Sequence, residues 1–139
     1  MTIAVAIICY ALAFAAGVGY GLIEERGEGM NIYVLCPVRN GVPEEARDYA
    51  IDMKARGHAV HFPPDDAPQD DPTGNAICSV HLAAMKKCDR VDVFWDVTSK
   101  GSHFDLGMAY ALGKPVQIMR LYQPDIEGKS YVKVMEKMR

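Results

Sequence analysis

Between Asn31 and Met119 four short apolar runs, NIYVLC, HAVHF, VDVFW and PVQIM, are each separated from the next by a stretch with helical character. Strands that alternate with helices build a parallel sheet, because a parallel neighbour needs a crossover long enough to carry a helix. The pattern predicts an open three-layer α/β fold, flavodoxin-like or Rossmann-like, with a mostly parallel sheet of about four to five strands flanked by helices. A chain of 139 residues, half of them apolar, buries one good core and hardly two. One domain over residues 30–139 is therefore expected.

The connecting segments carry their own punctuation. PEEARDYAIDMKARG has Pro43 and two acids in its first turn, Lys54 and Arg56 in its last, and Gly57 as a stop, which reads as a helix with Ala46, Tyr49, Ala50 and Met53 on one face. PPDDAPQDDPTG, with four prolines and four aspartates, reads as a long loop. NAICSVHLAAMKKCD reads as a second helix with Ile77, Val80, Ala84, Met85 and Cys88 facing inward. Residues Ser102 to Leu112 form a third, closed by Gly113 and Pro115. GKSYVKVMEKMR reads as a last amphipathic helix.

Residues 1–29 stand apart as an apolar N-terminal segment. The first 23 carry no charge, which is long enough to span a bilayer as a helix. No Lys or Arg precedes the run, and it exceeds the roughly 7–15 apolar residues of a cleaved signal peptide. Two expectations remain. One is a single-span membrane anchor through residues 3–23. The other, favoured here, is a working protein that starts at Met30 and is cytoplasmic: EERGEG, just before Met30, requires largely purine-rich codons, as a ribosome-binding site does, and a strand begins directly after MN. GVGYG, Gly17 to Gly21, lacks the spacing of a dinucleotide loop because Leu22 interrupts it, and small residues of a membrane-type helix explain it better.

Setting aside Arg26, Glu24, Glu25 and Glu28, the chain's 15 basic and 18 acidic residues become 14 against 15. That balance shows no footprint for a nucleic-acid polymer. Cys9, Cys36, Cys78 and Cys88 have neither C-x-x-C nor C-x-x-H spacing, so no zinc or other metal site is expected, and reduced, mostly buried thiols are.

Ligands of open α/β sheets sit at the carboxyl ends of the strands. Candidate residues therefore fall just after each strand, at Pro37 to Asn40, Pro63 to Asp66 and Asp96 to Ser102. Asp105 is the acid at the start of the otherwise small and apolar third helix. With Ser102 as N-cap it completes a variant capping box, and the same helix N-terminus keeps the carboxylate ionised, as a nucleophile must be. Ser99, Gly101 and Ser102 offer hydroxyls and amides for an anion, or an ordinary capped turn. Arg39 is placed to hold a phosphate or sugar oxygen. Asp96 either faces the ligand or forms a turn. Trp95 either stacks a base or, the better reading, is buried in its strand. His103 is at most a loop-side contact, because adjacent helical residues point to different faces. His81, among apolar neighbours, reads first as a structural histidine.

The stretch SKGSHFDLGMAYALGKPV, with IYVLCP at the first strand, resembles the nucleoside 2-deoxyribosyltransferase and nucleotide N-glycosidase family over roughly Asn31 to Arg120. That family shows a Tyr-x-x-Gly-Pro type segment and a Glu-Leu-Gly-x-Ala-x-Ala-x-x-Lys-Pro motif, matched here by DLGMAYALGKP. The resemblance implies cleavage of an N-glycosidic bond through a covalent sugar–carboxylate intermediate, with transfer to water or to a second base. It places the nucleophile on Asp105 and an orienting phenol on Tyr33, which as an alternating strand residue reads equally as plain core; substrate contacts at Cys36, Pro37, Arg39, Asp96, Ser99, Gly101, Ser102 and His103 follow from their places at the strand ends and the start of the third helix. It implies a homo-oligomer, a nucleoside or nucleotide partner and no cofactor. The sequence departs from the pattern in three places: Asp105 is one methylene shorter than glutamate, His81 stands at an aspartate position where it can protonate the leaving base, and Cys36 replaces glycine. A rival reading is an inactive nucleotide-binding or sensor module of the same fold.

Overall fold

In the computed structural model, residues 28–39, 41–122, 129 and 131–139 are described. Strand β1 (Asn31–Leu35) is followed by helix α1 (Glu44–Ala55), β2 (Ala59–His61), the one-turn α2 (Pro63–Asp66), α3 (Asn75–Lys87), β3 (Arg90–Asp96), α4 (Lys100–Ala111), β4 (Val116–Tyr122) and α5 (Val132–Lys137). The four strands form one sheet in the order β2-β1-β3-β4, and every pairing is parallel. The expected open α/β sheet is thus present, with four strands.

Side-chain alternation along the central strands splits the core in two. Ile32, Val34, Cys36 and Phe94 pack with Ala46 and Ala50 of α1 on one face of the sheet. Tyr33, Leu35, Val91, Val93 and Trp95 pack on the other, against Met85 of α3, Leu106 and Ala109 of α4 and Met135 of α5. β1 and β3 are buried almost throughout, as strands covered on both faces must be. Asp92 is the polar exception on the α1 face. It is fully buried and accepts hydrogen bonds from Tyr49 Oη at 2.5 Å and from Arg90 Nε at 2.6 Å.

Three expectations are corrected. The Pro/Asp stretch is not loop throughout: its first four residues make a helical turn. Pro63 and Pro64 occupy the first two positions, where a missing N–H costs nothing and φ is already set. The Asp66 carboxylate then accepts the Phe62 N–H at 2.7 Å. The third helix begins at Lys100 rather than Ser102, because Ser99 is its N-cap and accepts the Ser102 N–H at 3.2 Å. The last helix is shorter than expected, six residues from Val132. Among the described residues no helix is long and apolar enough to cross a membrane. The apolar run before Met30, its glycines and Cys9 lie outside the described residues, apart from residues 28 and 29.

Candidate active site

Tyr33 points from the middle of β1 to the face that carries α3 and α4. In α4, Ser102, Asp105, Leu106 and Ala109 recur on the buried side, so Asp105 faces the sheet. In α3, His81 and Met85 do the same. These three elements bring the site together. Tyr33 Oη donates to Asp105 Oδ2 at 2.9 Å, and His81 Nδ1 lies 3.3 Å from Asp105 Oδ1. Both Asp105 and His81 are 7% exposed. A carboxylate only accepts, so His81 carries its proton on Nδ1 when neutral, which leaves Nε2 as the basic atom. Nε2 is buried and has no partner among the described residues. Burial, reinforced by the adjacent Asp105 charge, raises the Tyr33 hydroxyl far above its ordinary value, so Tyr33 stays a donor.

Asp105 therefore does not close a capping box with Ser102. Both of its oxygens are taken by side chains from other elements, and Ser99 alone caps the helix. Asp105 and His81 open onto a cleft of about 490 Å³ at the carboxyl ends of the strands, whose walls include Cys36, Pro37, Arg39, Pro63, Asp96, Ser99, Gly101 and Ser102. Of the candidates after β1, β2 and β3, Pro37 to Arg39, Pro63, Asp96 and Thr98 to Ser102 are gathered around one space, whereas Pro64, Asp65, Asp66 and Val97 are not on its walls and Asn40 lies outside the described residues. Tyr33 stands behind this wall. Cys36 is buried, and burial followed by the nearby Asp105 charge pushes its thiol up to about 12. Ser102 is 1% exposed and its hydroxyl has no partner among the described residues. Asp96 lines the cleft and also holds a turn, accepting the Thr98 N–H at 2.8 Å and its hydroxyl at 2.7 Å.

His103 is not in the cleft. Its Nδ1 bonds the Ser99 carbonyl at 2.7 Å, and its ring lies between Trp95 and Tyr131, with centroids 4.7 and 5.7 Å away. It follows Ser102 by one residue and so points to the other side of α4. Trp95 is buried, as its strand position implied. Several wall residues carried no signal in the sequence: Ile77 and Cys78 lie one turn before His81, and Gln69 and Gly74 come from the loop ahead of α3. His61 was missed as well. It is the Cα partner of Tyr33 in the β1–β2 ladder, and their rings are 4.9 Å apart. Strand alternation would have placed it beside Tyr33 had the register been known. Among the described residues no group of three His, Cys, Asp or Glu side chains is arranged to hold a metal ion.

No protein-family model matches the chain, and no curated protein does. Among solved structures it is similar to one titled as the CMP N-glycosidase BcmB of Clostridium botulinum, at 15% sequence identity and a TM-score of 0.53, over 77% of this chain and 80% of that one. The likeness is one of fold. It extends over most of both chains and agrees with the parallel four-stranded sheet flanked by helices.

Proposed function

We propose that this chain is a nucleoside 2-deoxyribosyltransferase-like enzyme that cleaves the N-glycosidic bond of a nucleoside or nucleotide at Asp105. The observation that carries the reading is a buried carboxylate at the strand ends, open to the cleft, whose two oxygens are held by Tyr33 and His81. Similarity in fold to a structure titled as an N-glycosidase supports it. In the proposed reaction an Asp105 oxygen bonds to the anomeric carbon while the carbon–nitrogen bond breaks, and the base leaves with the electron pair. The base takes its proton from the His81 imidazolium. Water, or a second base, then attacks the same carbon, returns a proton to His81 and frees the Asp105 carboxylate.

The other assignments follow the walls of the cleft. Arg39 is exposed there and suits a phosphate. Ser99, Gly101 and Ser102 offer the first turn of α4 to an anionic or hydroxylated part of the substrate. Asp96, Cys36 and Pro37 border the sugar and base. His103 acts, in this reading, only through the Ser99 carbonyl. The proposal includes association of copies, measurable by sedimentation.

The test is release of free base from ribo- and deoxyribonucleosides and their 5′-monophosphates, followed by chromatography. Release is expected for at least one of them. Asp105→Ala should slow it by a factor on the order of 10³ or more. Binding of a nucleotide without release would favour the inactive binding module instead, and release that survives Asp105→Ala would remove Asp105 as nucleophile.

A further inference from the structure

We propose that His61 is a positioning residue for this site, fixing the two side chains that hold Asp105 and confining the proton of a histidine pair to His81. The inference rests on the reading of Asp105 and His81 given above, and on geometry that reading does not use. The His61 ring lies 4.9 Å from Tyr33 and 5.5 Å from His81, and the Tyr33 and His81 rings are themselves 5.9 Å apart. Tyr33, His61 and His81 form a closed triangle of rings, and Asp105 is bonded to two of its corners. His61 reaches the carboxylate only through them.

The pair is unequal. His81 Nδ1 touches the carboxylate and His61 does not, while the Nε2 of each ring is buried with no partner among the described residues. The charged and titratable groups that face His61 come from every neighbouring helix: Lys54 of α1, Asp66 of α2, His81 of α3 and Asp105 of α4. Burial holds the His61 imidazole below its ordinary value, and a charge on His81 pushes the same way. The two imidazoles stand 5.5 Å apart, centroid to centroid, so a charge on one is felt by the other. Of the two, His81 is the ring that faces the carboxylate. It is also the ring that opens to the cleft.

Imidazole carbon–proton NMR titrations of the wild type and His61→Phe test the coupling without any substrate. The wild-type His81 signal should move in two steps, the second together with that of His61. In His61→Phe it should move in one. An identical His81 titration in both proteins overturns the coupling. Kinetics test the positioning. His61→Ala should lower the rate constant for base release at least about tenfold while leaving KM within about twofold. His61→Phe, which keeps the ring contacts, should recover most of the rate near neutral pH. An Ala variant as fast as wild type, or a Phe variant as slow as Ala, overturns it. If the wild type releases no base from any substrate, the enzymatic reading fails, while the titration still decides whether the pair is coupled.

Discussion

Two cysteines on the walls of one cleft are expected to behave in opposite ways. Cys36 is buried at the end of β1, and its thiol, pushed up to about 12, is almost wholly protonated at pH 8. The thiolate is the reactive species, so Cys36 should resist alkylation despite facing the cleft. Cys78 lies on the same wall but is only partly buried. Iodoacetamide at pH 8, followed by peptide mass spectrometry, should modify Cys78 and spare Cys36 and Cys88, the last of which burial also raises. A nucleotide bound in the cleft should slow the reaction at Cys78. The two buried aspartates differ in the same residue-level way. Asp92 is paired with Arg90 and closed off, while Asp105 is held by Tyr33 and His81 and opens to the cleft. Only the second arrangement leaves a carboxylate that a substrate can reach.

At the scale of elements, the approach of β1 to the turn before β2 leaves no room for a side chain at Gly29. A Cβ there would stand 2.2 Å from the Gly57 carbonyl oxygen, which is backbone and cannot swing away. Next to it, Ala59 N–H bonds the Met30 carbonyl at 2.9 Å, starting the β1–β2 ladder. Gly29→Ala should therefore cost roughly 1–3 kcal/mol in urea unfolding. Gly107→Ala, in the interior of α4 with nothing within 4 Å of the added methyl, should gain up to about 1 kcal/mol. The elements themselves were legible because apolar runs and helix stops are local signals. Pro43, Gly57 and Gly113 mark ends that the structure keeps. The start of α4 was misplaced because Ser99 and Ser102 are equally good caps by composition, and only the packing of Asp105 against β1 and α3 decides between them. The turn at Pro63 was missed because prolines that break a helix in its middle are welcome at its start.

Across the whole molecule, the site is a property of sheet order. Tyr33 and Asp105 are 72 residues apart in sequence, and His81 and Asp105 are 24 apart. The motif around Asp105 and the rule for strand carboxyl ends were enough to collect one side of the cleft, from Pro37 and Arg39 to Asp96 and Ser102, but not Gln69, Gly74, Ile77 or Cys78. What they could not contain was the register that sets His61 against Tyr33, since pairing of β1 with β2 is not written in either strand alone. Because β1, β2, α3 and α4 all contribute, no smaller unit of the domain holds the arrangement. Loss of the proposed base release in urea should coincide with loss of helical circular dichroism, and an activity that vanished well before the structure would show that the site opens locally.

The same dispersal bears on synthesis. Tyr33, His61 and His81 leave the ribosome in that order, each lacking the carboxylate that two of them will bind. Only when α4 emerges does a growing chain contain Asp105, so a chain halted before that helix lacks the one group that Tyr33 and His81 both bind.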